Sequence, residues 1–218
     1  DSEHARPLFL QAGPVKVSKP KPDGLALQQQ AIYRLVDDGF SLVSLDVSKL
    51  DPAGAVEVVR ALSAPLRERE LPLELTLPAP AREGASPTDR ARPLLEGLRK
   101  GGVPVRFLRV PAEGFGDEDL DVGLLHLLVE LATEYGVSVT VAEVPERALR
   151  SLPTLVAAGV RKVDCAAPYG RLGLAAFPAN HGRVAGLAKS EELGPIEAQL
   201  DHVRSAYTIG EAGELFAR

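Results

Sequence analysis

The sequence predicts an α/β fold of repeated βα units, a TIM (β/α)8-like barrel that is incomplete within this stretch of chain. Three observations carry that prediction. The first is a recurring unit of helix, glycine and apolar strand. It appears at Asp38-Gly39 before Phe40, at Gly101-Gly102 before Val103, at Tyr135-Gly136 before Val137 and at Ala158-Gly159 before Val160, with a weaker copy ahead of Leu71. A glycine just past a helix supplies the left-handed residue that ends it, and the β-branched run after it reads as a buried parallel strand. The second is handedness, because right-handed crossovers put the helices of repeated βα units outside the sheet. The third is the lack of a Gly-x-Gly-x-x-Gly loop after the first strand, which favours the barrel over an open doubly wound sheet.

The elements follow in order. Residues Asp1 to Pro7 are polar, and Leu8 to Gln11 reads as the first strand. Ala12 to Gly24 carries Lys16, Lys19 and Lys21 among prolines and reads as a loop. Leu25, Ile32, Leu35 and Val36 have helical spacing, and Phe40 to Val47 is the next strand. Asp51-Pro52 opens a helix with an acceptor at the cap and proline in the first turn. Leu71 to Leu77 is a strand, Ala79 to Pro87 a loop, and Thr88 to Lys100 a helix with Pro93 expected near its first turn. Val103 to Val110 is a strand and Pro111 to Gly116 a loop. A helix over Leu120 to Leu131, the strand Val137 to Glu143, a helix over Ala148 to Ala158 and the strand Val160 to Cys165 form the clearest stretch. A last helix is expected near Pro195 to Tyr207. This makes six strands, where a full barrel has eight in about 250 residues.

Composition sets outer bounds. The chain has 218 residues, 45% hydrophobic and 25% charged, with a net charge of −5 and a pI near 5.5. That is enough for one domain over 1–218 with a sizeable core, and it does not point to nucleic acid or an anionic membrane. No apolar run approaches the roughly 20 residues of a membrane span, and no signal peptide is visible, so a cytoplasmic location is expected. The single cysteine, Cys165, excludes an internal disulfide framework and agrees with that. A chain starting at Asp1 with no methionine reads as a piece of a longer protein, or as a trimmed form of one.

In either α/β architecture the site lies at the carboxyl ends of the strands. The catalytic candidates are Asp46, Glu143 and Asp164, carboxylates that close apolar runs and are costly to bury unless partnered or lining a cleft. A cap to the following helix is the plainer reading, and the loop serine and lysine support it for Asp46. Lys16, Ser48, Lys49 and Arg171 are the substrate-binding candidates. The same rule also selects Gln11, Glu74, Thr76, Arg109, Glu113 and Tyr169. Cys165 lacks a histidine near it in sequence and reads as a small buried residue rather than a nucleophile. Of the 4 histidines, none closes a strand, so neither a metal nor any other cofactor is expected. His126 reads as a helix-surface residue, and His181 is the one loop histidine of interest.

The order of these segments resembles the class II, tagatose- and fructose-bisphosphate-type aldolases. Pro7 to Ala12 resembles the family's strand that ends in an Asp-His pair. Asp38-Gly39-Phe40 with Leu45 to Leu50 resembles its AGF…IDxSxL unit, and Val144-Pro145-Glu146 through Asp164 its PDE…GvxKiNv stretch. The likeness touches about half the chain and begins in the family's third strand, which would explain two missing N-terminal units; the alternative is that the last part of the chain holds them. The metal histidines of the family are replaced, by Gly13-Pro14, by Pro111 to Gly114 and by Ala142-Glu143-Val144. A family aldolase uses its divalent ion to stabilise an enediolate. The resemblance therefore implies a catalytically degenerate barrel serving as a structural or protein-interaction domain, with a protein partner or self-association. The alternative is a divergent, metal-independent enzyme, a sugar-phosphate lyase, aldolase or isomerase, with a small phosphorylated ligand. Leu73 to Thr76 and Val141 to Val144 also resemble two strands of EAL-type phosphodiesterase barrels, which leaves a cyclic-dinucleotide sensor as a third expectation.

Overall fold

The computed structural model describes residues 11–17, 22–80, 84–115, 121–144 and 152–164. The chain divides into two compact units, one of residues 1–142 and 150–163, the other of 143–149 and 164–218. The regular elements among the described residues lie in the first. They run β1 (Gln11–Lys16), α1 (Pro22–Asp37), β2 (Leu42–Asp46), α2 (Pro52–Leu62), α3 (Ala64–Glu68), β3 (Leu73–Thr76), α4 (Pro87–Lys100), β4 (Val105–Pro111), α5 (Val122–Glu134), β5 (Ser138–Ala142), α6 (Leu152–Ala157) and β6 (Lys162–Val163), with a 3-10 turn at Ala112–Phe115.

The six strands form one parallel sheet in the order β1-β2-β3-β4-β5-β6. A doubly wound sheet reverses its strand order at a switch point. This sheet does not, so right-handed crossovers place every helix on the same face. The result is a curled half-barrel of alternating β and α elements, an incomplete TIM-like barrel.

Local chemistry explains the element ends. Asp51 accepts from the Gly54 amide at 2.7 Å and caps α2, with Pro52 in its first turn. Ser86 and Asp89 cap α4 reciprocally, at 3.1 Å each way. Asp121 accepts from Leu124 at 2.9 Å and caps α5. At the other ends the chain repeats one device. The amide three residues past the helix reaches back five, in Phe40→Leu35, Leu71→Leu66, Val103→Leu98, Val137→Ala132 and Val160→Leu155. The residue before it has positive φ and bonds three back: Gly39, Glu70, Gly102, Gly136 and Gly159. This is the Schellman cap, and it makes the weak copy before Leu71 the same unit with a glutamate in the glycine's place.

Four expectations need correction. Strand β1 runs on through Lys16, past the point where the loop expected over Ala12 to Gly24 begins. It lies at the edge of the described sheet, and its pairing with β2 shifts register between Ala12 and Val15, around Pro14; edges and bulges are where proline is accepted in a sheet. The helix opened by Asp51-Pro52, whose helical spacing Val56, Val59, Leu62 and Leu66 reads as one element, is broken at Ser63, just ahead of Pro65, into α2 and α3. Pro87, not Pro93, occupies the first turn of α4, and Pro93 sits inside the helix. The loop expected from Pro111 contains the 3-10 turn, with Phe115 buried. Residues 1–10 and the expected helix at 195–207 lie outside the described residues.

The core lies between the sheet and the helices. Val43, Leu45, Leu75, Leu108, Val139 and Val141 share one sheet face, through the register of their strands. They are buried, as are Val59, Leu62, Leu94, Leu98, Leu125 and Leu128 on the helices. Alternation then turns the intervening residues to the opposite, concave face.

Candidate active site

That concave face is polar. Thr76, Arg109, Thr140 and Lys162 are register partners across β3, β4, β5 and β6, and form one row. The row beneath holds Ser44 and Glu74, again register partners, with Phe107 beside them.

Glu74 is the centre of this face. It is 0% exposed, and a buried carboxylate is tolerated only when paired and hydrogen-bonded. Its Oε1 accepts from Lys162 Nζ at 2.7 Å and Thr140 Oγ1 at 2.9 Å, and its Oε2 accepts from Gln11 Nε2 at 2.7 Å. Lys162 keeps 23% of its side chain exposed. In a flat sheet β3 and β6 would stand about 14 Å apart. The short Lys162–Glu74 contact is geometric proof that the sheet curls, and the curl puts an amine and a carboxylate together inside it. Ser44 Oγ and Thr76 Oγ1, on the same face, are buried without a hydrogen-bond partner among the described residues.

The residues selected from the sequence distribute differently. Asp46 ends β2 half-buried, and its Oδ1 accepts from the Ser48 amide at 3.0 Å, closing the turn after the strand. Lys16 is its register partner on β1 and is exposed, as are Ser48 and Lys49. These four therefore gather at the carboxyl ends of β1 and β2. Glu143 and Asp164 belong to the second unit. Glu143 is exposed with φ 58, Asp164 is half-buried, and the Val144 amide donates to the Asp164 carbonyl at 3.2 Å. Arg171, Tyr169, Cys165 and His181 lie outside the described residues. His126 is exposed on α5, 3.3 Å from Glu130 one turn on.

A class II aldolase would need a divalent-metal donor set at the strand ends. The positions concerned carry Gly13-Pro14 in β1, Pro111-Ala112 at the end of β4 and Ala142-Glu143 at the end of β5. Among the described residues no three His, Cys, Asp or Glu side chains gather as such a site requires. Among the described residues the donor set does not fit that ion.

Comparison with known proteins bears on the fold. No protein-family model matches the chain. Among solved structures, the YdjI aldolase from Escherichia coli K12 superposes with a TM-score of 0.51 at 14% identity, over 70% of this chain and 54% of that one. The fold is that of an aldolase-like barrel. A deoxyribose phosphate aldolase from Aeropyrum pernix aligns at TM-score 0.48 and 15% identity, covering 71% of this chain and 60% of that one. A UDP-N-acetylmuramoylalanine–D-glutamate ligase from Zymomonas mobilis is 49% identical over 45 residues, 21% of this chain and 10% of the ligase. The chain thus spans about half of the YdjI aldolase and a tenth of the ligase. No helix among the described residues is long and apolar enough to cross a membrane.

In this aldolase-like barrel, strand-end reasoning overlooks Lys162, Thr140 and Ser44, and it ranks Glu74 behind Asp46. They sit within strands rather than after them. The available signal was a charge of each sign interrupting apolar runs, in Leu73-Glu74-Leu75 and in Val160 to Val163.

Proposed function

We propose that the chain is a metal-independent barrel of the aldolase or lyase type, acting on a small carbonyl compound through Lys162. The observation that carries the reading is the 2.7 Å contact of Lys162 Nζ with the buried Glu74 carboxylate. Lysine becomes a nucleophile once it gives up its proton, and a carboxylate within hydrogen-bond reach is a group that can accept it. Glu74 Oε1 takes the proton from the Lys162 ammonium. The neutral amine adds to the substrate carbonyl, a proton passes from its nitrogen to the new alkoxide, Glu74 returns its proton to the resulting hydroxyl, and that oxygen leaves as water to give a protonated imine beside the Glu74 carboxylate. Thr140 and Gln11 hold the carboxylate in place through this exchange. Asp46, Glu143 and Asp164 are the further acid/base candidates, and Lys16, Ser48, Lys49 and Arg171 candidates for an anionic group of the substrate.

The test is reductive trapping. Cyanoborohydride with dihydroxyacetone or pyruvate should fix one adduct on the intact chain, located at Lys162 by peptide mass mapping and missing from Lys162→Arg. Labelling spread evenly over surface lysines would reject the reading.

A second reading is the degenerate barrel serving as an interaction domain. It is supported by Leu127 and Val156, exposed by 56% and 61% on the outer helices α5 and α6. Light scattering tests it: self-association lost in Leu127→Lys supports it, and a monomer at all concentrations removes the self-association form of it.

A further inference from the structure

We infer that Ser44 and Thr76 form a hydroxyl-recognising pair beside Lys162 and Glu74, so that the site takes small carbonyl compounds with neighbouring hydroxyl groups in preference to plain ones. This rests on the carbonyl-binding reading of the same site and names the substrate class for it. Ser44 is 0% exposed and Thr76 6%, and neither hydroxyl has a hydrogen-bond partner among the described residues. A buried hydroxyl without a partner lowers stability, so such groups in folded proteins are completed by water or a ligand. Their placement argues for the ligand. Ser44 stands opposite Glu74 on the neighbouring strand, and Thr76 heads the row that runs through Arg109 and Thr140 to Lys162. Of the other side chains of those rows, Phe107 is apolar, and Thr140 and Lys162 are engaged around the carboxylate. A hydroxyl both donates and accepts, which suits the hydroxyl and carbonyl oxygens of an uncharged substrate backbone. A site built to hydrogen-bond a hydroxyl rejects the analogue without it, because its own buried groups are then left unpaired.

The test compares dihydroxyacetone with acetone, and glyceraldehyde with propionaldehyde, on the intact chain and on Ser44→Ala, Thr76→Val and the double variant. Ligand-observed NMR gives affinities, and cyanoborohydride trapping is scored separately. The expected result is a preference for the hydroxylated compound that falls about tenfold in the double variant. The ligand-free double variant should melt at the same temperature or higher, since it loses two unpaired buried hydroxyls. Equal affinity for both compounds in the wild type, or a preference that survives in the double variant, overturns the pair and leaves the two hydroxyls to ordered water. Selective binding with no adduct on Lys162 rejects the imine chemistry and keeps the pair. An adduct with acetone as readily formed as with dihydroxyacetone keeps the chemistry and rejects the pair.

Discussion

Glu74 shows how much one residue can be asked to do. It has no contact with water, and three donors on β1, β5 and β6 converge on it. Removing one partner of a buried pair leaves an uncompensated charge, which costs about 3 kcal/mol. Lys162→Ala is therefore expected to lower unfolding stability by about that much. Combined with Glu74→Gln, the loss should be smaller than the sum of the two single losses, because the second change removes the stranded charge. Urea denaturation of the four proteins closes the cycle. Strict additivity would mean that the pair is not coupled, and the catalytic reading would lose its proton acceptor as well.

At the level of elements, the helix ends make the fold legible. Four of the five Schellman caps carry glycine at the positive-φ residue, and these are the units that stand out in the sequence. The fifth has Glu70 at φ 53, a conformation that disfavours any residue with a Cβ. Glu70→Gly should therefore stabilise the protein by about 1 kcal/mol in thermal unfolding; a loss of stability would show that the glutamate side chain has a compensating contact. Helix α1 is tied to α3 by the Tyr33 hydroxyl, which donates to both Glu68 carboxylate oxygens at 2.9 Å. That hydrogen bond, with desolvation and the Glu68 charge, raises the tyrosine above its usual 10.0. A raised folded-state value means that the contribution is complete below pH 10 and fades as pH climbs through the folded value. Tyr33→Phe should remove this alkaline dependence, followed as the difference in melting temperature between pH 8 and 11. The first strand was the illegible element. Pro14 and Lys16 have loop character, and only pairing to β2 with a shift of register makes Gln11–Lys16 a strand. Gly13 belongs to that irregularity: its φ is 103, and a Cβ there would strike the Ser44 carbonyl oxygen.

At the scale of the whole described sheet, the site was hidden for a different reason. Lys162 and Glu74 are 88 residues apart, and Gln11 and Glu74 are 63 apart. No local spacing announces either pairing; both depend on the curl of a sheet whose strands follow one another in chain order. That order could be read from repeated βα units, whereas convergence of side chains across three strands could not. The same geometry gives Glu74 a mechanical role, because it links both edge strands of the described sheet to its middle. Replacing it by leucine removes the acceptor that Lys162, Gln11 and Thr140 share, while the aliphatic face of β2 to β5 keeps its packing. Hydrogen exchange on Glu74→Leu should accordingly show protection lost first in Gln11–Lys16 and at Lys162–Val163, with amides of Leu42–Asp46 and Ser138–Ala142 holding close to their wild-type rates. Uniform acceleration through all six strands would instead make the carboxylate a determinant of global stability and not a clasp on the edges.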